Sequence, residues 1–248
     1  MTKTATLDEL WESTPTSEQK FDPSHFAALP DVARRYLEHA IAPATVLASA
    51  VRLQMHGEIK LKGWVPFTAE QVIRRNRGML WRATARMNGL PIRGFDRIWD
   101  GEGEMRWKLL GIIPVMVAEG PDVTRSAIGR VEAESVWLPS VFCGDDISWR
   151  APDANHAHAS HTMNGETTEL ELAVNEDGQL QSIKNKRWGD PGNSGFRYED
   201  FGGVVEREGT FDGYTIPTQM RAGWYYGSDR FETEGEFFRV TIDDAMFR

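Results

Sequence analysis

The sequence predicts a mainly β fold (α+β): a large curved antiparallel sheet or half-barrel with a few helices, one of them packed against the concave face. Three observations carry that prediction. Runs alternating apolar and polar residues at period two recur from Val51 to Ile242. Turn dipeptides separate the runs, among them Arg77-Gly78, Asn88-Gly89, Asp100-Gly101 and Asp212-Gly213. The connections are shorter than the crossovers that parallel pairs need, so neighbouring strands pair antiparallel.

Helices are few. From Pro30, the residues Val32, Tyr36, Leu37, Ala40 and Ile41 form one apolar stripe. Pro30 suits a first turn, and Ala42-Pro43 ends the helix. Strands are expected over Val51–Ile59, Phe67–Arg75, Met79–Met87, Ile92–Trp99 and Met105–Leu110. A second helix covers Ala127–Leu138, closed by Pro139, with Arg130, Glu134 and Trp137 on one face at i, i+4 and i+7. Further strands are expected over Thr168–Val174, Leu180–Trp188, Thr218–Tyr226 and Phe231–Ile242, the first two joined through Asn175 to Gly178. Residues 1–28 are expected to form an N-terminal arm or short helices, and residues 29–248 a single half-barrel domain of ordinary size.

Composition narrows the function classes. The 248 residues include 28 basic and 37 acidic side chains, a net charge of −9. That excess acidity disfavours nucleic acid or an anionic membrane as the main partner. The single cysteine, Cys143, forms no internal disulfide, which fits a reducing compartment. The first twelve residues contain no apolar core of the signal-peptide kind. The longest apolar stretch, Leu109–Ala118, falls short of the about 20 residues a spanning helix needs. A cytoplasmic protein without membrane insertion is expected, with a short strand or loop at that stretch.

The central hairpins can be placed in register. A turn over Asn88 to Pro91 sets Met87 opposite Ile92, Ala83 opposite Asp96 and Trp81 opposite Ile98. A turn over Asp100 to Gly103 sets Ile98 opposite Met105 and Asp96 opposite Trp107. A loop across Asn76 to Gly78 sets Ile73 opposite Trp81 and Gln71 opposite Ala83. One face then carries Phe67, Ile73, Met79, Trp81, Met87, Ile92, Ile98, Met105, Trp107 and Leu109. Within this apolar field stand Gln71 and Asp96, with Ala83 between them. A buried carboxylate costs several kcal/mol unless it is paired, protonated or facing a solvated cavity. Asp96 is therefore either a polar anchor or general acid/base in a pocket, with Gln71 orienting a ligand, or a structural carboxylate satisfied by Gln71, an arginine or backbone amides. If the helix face bearing Arg130 and Glu134 points at the sheet, these two reach Asp96 and build a charged network.

The opposite face is basic. The same register sets Arg86 against Arg93, Arg82 against Arg97 and Arg97 against Arg106, and like charges across a strand pair repel. Glu70, Glu104 or an anionic partner must offset them. The segment Arg74 to Lys108 holds nine basic and four acidic residues. It is either a solvated face with interleaved acids or a phosphate- or carboxylate-binding surface.

Other motifs are weak. On a strand, His156 and His158 share one face while His161 points away, so no metal site is expected. Cys143 is read as an inert buried thiol. Gly101-Glu102-Gly103 lacks the third glycine of a dinucleotide fingerprint, no phosphate loop or nucleophile elbow is present, and no cofactor is expected.

Several segments resemble an uncharacterised bacterial domain family: Leu29 to Val32 with Arg35 to Leu37, Trp64 to Gln71, Phe95-Asp96 with Asp100 to Gly103, Arg130 to Glu134 with Trp137 to Pro139, and Gly213 to Pro217 with Trp224. The resemblance spans the chain from about residue 29 onward and falls on Gln71, Asp96, Arg130, Glu134 and Trp137. The fold it implies is similar to the open half-barrel of bacterial lipoprotein carriers and of the violacein-pathway enzyme of that shape. Similar folds host unrelated functions, so it implies no reaction.

Three function classes follow. The first is a soluble small-molecule-binding protein whose concave sheet, lined by Trp81, Trp107, Met79 and Met105, holds an apolar or aromatic ligand, with Gln71 and Trp137 among the contacts. The second is a cofactor-independent hydrolase, isomerase or cyclase with Asp96 or Glu134 as acid/base and Arg130 stabilising negative charge. The third is an interaction protein using the arginine-rich face.

Overall fold

The computed structural model describes residues 6–163 and 165–248. Among these, thirteen strands form one antiparallel sheet: β1 (Ala50–Lys60), β2 (Trp64–Arg74), β3 (Gly78–Met87), β4 (Leu90–Trp99), β5 (Glu102–Leu109), β6 (Ile113–Glu119), β7 (Ser148–Arg150), β8 (His156–Met163), β9 (Glu166–Val174), β10 (Leu180–Gly189), β11 (Arg197–Phe211), β12 (Tyr214–Trp224) and β13 (Glu236–Phe247). Their spatial order is β6-β5-β4-β3-β2-β1-β13-β12-β11-β10-β9-β8-β7. Each strand pairs with its chain neighbour except at the centre, where β1 pairs with β13. The sheet is open, because β6 and β7 end the order without pairing to each other.

Among the described residues three α-helices accompany it: α1 (Leu7–Glu12), α2 (Asp31–Ala40) and α3 (Pro121–Glu134). Helix α3 touches β3, β4 and β5 on one side and β9 and β10 on the other. In the sheet order β5 and β10 are eight places apart. In a flat sheet that separation is about 38 Å at about 4.8 Å per strand, whereas a helix is only about 10–12 Å across. The sheet must therefore curl around α3, and the expected helix on the concave face is present.

Helix α3 begins six residues before the expected Ala127, because Gly120 (φ 104°) and Pro121 start it and its first turns are polar. It ends at Glu134, and a 3₁₀ turn over Ser135–Trp137 carries the chain to Pro139. The segment expected to begin a strand at Phe231 is instead a π-helical turn over Phe231–Gly235. Strand β11 had no expected counterpart. Its Gly202-Gly203 pair and the charged Glu206 to Glu208 obscure the alternation, and its length comes from pairing along β10 and β12.

The predicted registers are off by two residues at three hairpins. Asn88 (φ 52°) and Gly89 (φ 80°) make a two-residue turn, as do Asp100 (φ 48°) and Gly101 (φ 84°). Two successive positive φ values match the twist of the flanking strands and close a shorter loop than four residues. Trp81 therefore faces Asp96, Asp96 faces Met105 and Gly94 faces Trp107. Gln71 faces Trp81, so Trp81 and not Ala83 stands between Gln71 and Asp96. A slip of two keeps every side chain on its face, so the division into an apolar and a basic face survives.

It does change the basic face. Arg86 faces Pro91, Arg82 faces Phe95 and Arg97 faces Glu104, so none of the expected arginine pairs across strands forms. Glu104 binds Arg97 at 2.5 Å and also pairs with Arg106, while Glu70 holds Arg52 at 2.5 Å and Arg82 at 3.0 Å. Part of this face is covered, since Leu7 and Leu10 of α1 pack on Val72 and Leu80. The apolar stretch at Leu109–Ala118 supplies the edge strand β6, whose Val115, Met116 and Val117 are exposed.

Candidate functional site

Asp96, Arg130 and Glu134 meet inside the curl. The sheet face carries Asp96 inward from β4, and the helical spacing turns Arg130 and Glu134 of α3 toward it. Arg130 donates through Nη1 to Asp96 Oδ2 at 2.7 Å and through Nε to Glu134 Oε1 at 2.7 Å. Trp107 Nε1 donates to the other Asp96 oxygen at 2.8 Å, and Gln71 Nε2 donates to the other Glu134 oxygen at 2.6 Å. Each carboxylate oxygen thus has a donor, which is how charges survive burial. The Arg130 guanidinium also lies 5.1 Å from the Trp81 ring centre.

Burial raises the Asp96 pKa, against the opposing pull of Arg130 and the Trp107 hydrogen bond. Burial works against the Arg130 cation too, but Glu134 and Asp96 outweigh it and raise its pKa. The two shifts reflect one physical fact, a single cation shared between two carboxylates in a dry environment.

Beside this network lies a cavity of about 320 Å³. Asp96, Arg130 and Glu134 occupy one side of it, with Ser126 and Ala133 of α3, Trp137 and Met105. Strands β10 to β13 supply more of its lining: Ile183, Arg187, Phe201, Met220, Trp224, Phe237 and Phe238. Trp81 stands against Phe238, centroids 6.2 Å apart. Trp137 is fixed by its Nε1 donating to Pro217 O at 3.0 Å.

Of the residues selected from sequence, Asp96, Arg130, Glu134, Trp81, Met105 and Trp137 line the cavity. Gln71, Trp107 and Met79 sit behind this wall. Gln71 is fully buried and supports Glu134, Trp107 supports Asp96 and lies tilted against Trp81 with centroids 5.6 Å apart, and Met79 is buried between Ile73 and Ile98. The sequence reading missed Arg187 and the aromatic wall from β11 to β13. The signal for Arg187 was present, since Ile183, Asn185 and Arg187 alternate onto the face that holds Ile183.

The three histidines find separate partners: His156 with Asp153, His158 with Glu169, and His161 with Glu132 at 2.8 Å. Among the described residues no group of three or more His, Cys, Asp or Glu is placed to hold a metal ion. Burial pushes the Cys143 thiol up to about 12, leaving it unreactive near neutral pH. No helix among the described residues is long and apolar enough to cross a membrane.

Comparison with known proteins adds family membership. Residues 27–247 match the sequence pattern of a family described as a family of unknown function, DUF6920. The chain belongs to that family. A comparison with curated proteins finds no match. Among solved structures, the DUF6920 chain is similar to a LolA superfamily protein from Nitrosomonas europaea, with a TM-score of 0.47, 11% identity, and coverage of 88% of this chain and 92% of that one. It is also similar to a putative outer membrane lipoprotein-sorting protein domain from Vibrio parahaemolyticus, with a TM-score of 0.41, 9% identity, and coverage of 81% and 86%.

Proposed function

We infer that this protein binds a small apolar or aromatic molecule in the cavity between α3 and the sheet. The observation that carries this reading is the cavity's composition: four aromatic rings from β11 to β13, together with Trp81 and Trp137, surround a space of about 320 Å³. Ligand sites are typically about 300–1,000 Å³, apolar, with a few convergent polar groups. This one lies at the small end and holds two arginines and two carboxylates.

The charged network favours binding over acid/base catalysis. A general base takes its proton on a carboxylate oxygen, and a protein donor already bonded to that oxygen favours its charged form and weakens it as a base. Both Asp96 oxygens and both Glu134 oxygens already accept from protein donors. The arginine-rich outer face is a weaker candidate, because Glu70 and Glu104 pair with Arg82 and Arg97 at its centre.

Protein purified without detergent, then denatured and analysed by mass spectrometry, should release an apolar compound in near-stoichiometric amount. The neutral probe N-phenyl-1-naphthylamine should bind the emptied protein and quench its tryptophan fluorescence. A protein that carries no ligand through repeated preparations and binds no neutral apolar probe does not use this cavity.

A further inference from the structure

Arg187 differs from Arg130 in one decisive respect. Arg130 is bonded to two carboxylates at 2.7 Å each. Among the described residues, no carboxylate oxygen lies within 4.0 Å of Arg187. Its Nε donates to Ser126 O at 3.2 Å and its Nη2 reaches Ser126 Oγ at 3.5 Å. A guanidinium carries five N–H donors, so these two bonds leave three without a protein acceptor among the described residues, on a side chain that lines the cavity. The rings of Phe201 and Trp224 lie beside it, centroids 4.7 Å and 5.0 Å from Cζ. Burial, aided by Arg130, pulls its pKa down to about 9, so it stays cationic near neutral pH.

The position is built into the packing. Gly129 of α3 lies against the Arg187 stem, and a Cβ there would meet Arg187 Cγ at 3.0 Å. Glycine inside a helix costs about 1 kcal/mol relative to alanine, so close approach is its structural return here. The neighbouring Asn185 fixes the same contact by donating to Gly129 O at 2.8 Å. Helix α3 and strand β10 together hold an arginine in an aromatic cavity and leave its fork without an acidic partner.

We propose that Arg187 is the headgroup site for an amphipathic ligand bearing a single carboxylate, with the ligand's apolar portion against the aromatic wall. A planar guanidinium matches a carboxylate through two parallel hydrogen bonds. A monoanion suits the surroundings better than a dianion. Asp96, Glu134, Arg130 and Arg187 sum to zero charge when all are ionised, and each further negative charge is repelled by the two carboxylates that line the same cavity. This inference rests on the cavity being a ligand site.

Decanoate and 1-decanol, matched in chain length, separate the two ideas. Each is titrated by tryptophan fluorescence above about pH 7, where a carboxylate is ionised. Decanoate should bind at least about 10-fold more tightly than decanol, the scale of a charge-assisted hydrogen-bond pair. Arg187→Met should abolish that preference while decanol affinity stays within about 3-fold, and Arg187→Lys should retain part of it. Equal binding of decanoate and decanol by the native protein, or a preference that survives Arg187→Met, overturns the Arg187 assignment but leaves the apolar cavity standing. Failure of both probes, and of N-phenyl-1-naphthylamine, overturns the cavity reading and this one with it. Circular dichroism of Arg187→Met checks that the variant is folded, and Arg187→Gln gives the same comparison if the methionine variant is not.

Discussion

Replacing Arg130 by methionine isolates the energetics of the buried network. Methionine keeps much of the arginine stem's volume and packing and removes the charge. Asp96 then retains only the Trp107 donor and Glu134 only the Gln71 donor. Asp96, Arg130 and Glu134 have side chains 11%, 15% and 12% exposed, so solvent does little to compensate. Breaking a buried ion pair from one side costs about 3–5 kcal/mol, a large share of a domain's total of about 5–15 kcal/mol. In urea the midpoint should fall by about 1–2 M at unchanged slope. The triple variant Arg130→Met with Asp96→Asn and Glu134→Gln should recover most of the loss, because neutral amides still accept from Trp107 and Gln71. The sign with pH follows from proton uptake. Without the cation, burial of Asp96 loses its largest opposing pull and holds its folded-state pKa further above the unfolded one, so the native state binds more protons and its stability falls as pH rises. The deficit should therefore be smaller in acid than at neutral pH. An Arg130→Met protein within about 0.5 kcal/mol of the parent, or a triple variant as unstable as the single one, would refute the claim that charge burial dominates here.

Two further perturbations test how α3 and the sheet are held. His161 is buried against Glu132 of α3, whose Oε2 also accepts from Thr168 Oγ1 at 2.8 Å, and the Glu132 hydrogen bond, against burial, raises the His161 pKa above 6.5. Its contribution is present in full below about pH 6.5 and lost as pH rises through the raised value. His161→Gln should therefore cost about 1–3 kcal/mol near pH 6 and less near pH 8, read as melting temperature at the two pH values; equal losses at both would exclude a charged pair. At Gly94 an added Cβ would meet Arg106 O at 2.4 Å and Trp107 Cδ2 at 2.4 Å. Gly94→Ala should cost about 1–3 kcal/mol by overpacking and displace Trp107 from Asp96, visible as a shifted tryptophan emission; an unchanged spectrum and urea midpoint would show that the ring is not packed on Gly94.

The alternation of Met79 to Met87 and its neighbours was enough to divide the central strands into two faces, because side-chain direction has period two and survives a register error of two. Asn88-Gly89 and Asp100-Gly101 marked the right turns, but counting their flanks into four-residue loops misplaced every cross-strand partner. That error produced arginine pairs that the structure resolves into Arg97–Glu104 and Arg82–Glu70 contacts. Asp96, Arg130 and Glu134 were legible as a candidate network, since one was a lone acid in an apolar field and the others shared a helix face.

By itself, the sequence determined the mainly antiparallel fold, the helix spacing of Arg130, Glu134 and Trp137, and the inward direction of Asp96. These depend on local periodicity and turn chemistry, which neighbouring residues encode. Only the tertiary structure decided that β10 to β13 curl back to face β3 to β5 across α3, bringing Arg187, Phe201 and Trp224 to Asp96. Curvature accumulates strand by strand from twist, bulges and the helix it wraps, and no short segment records the sum. The same closure decided which arginine is paired and which is free.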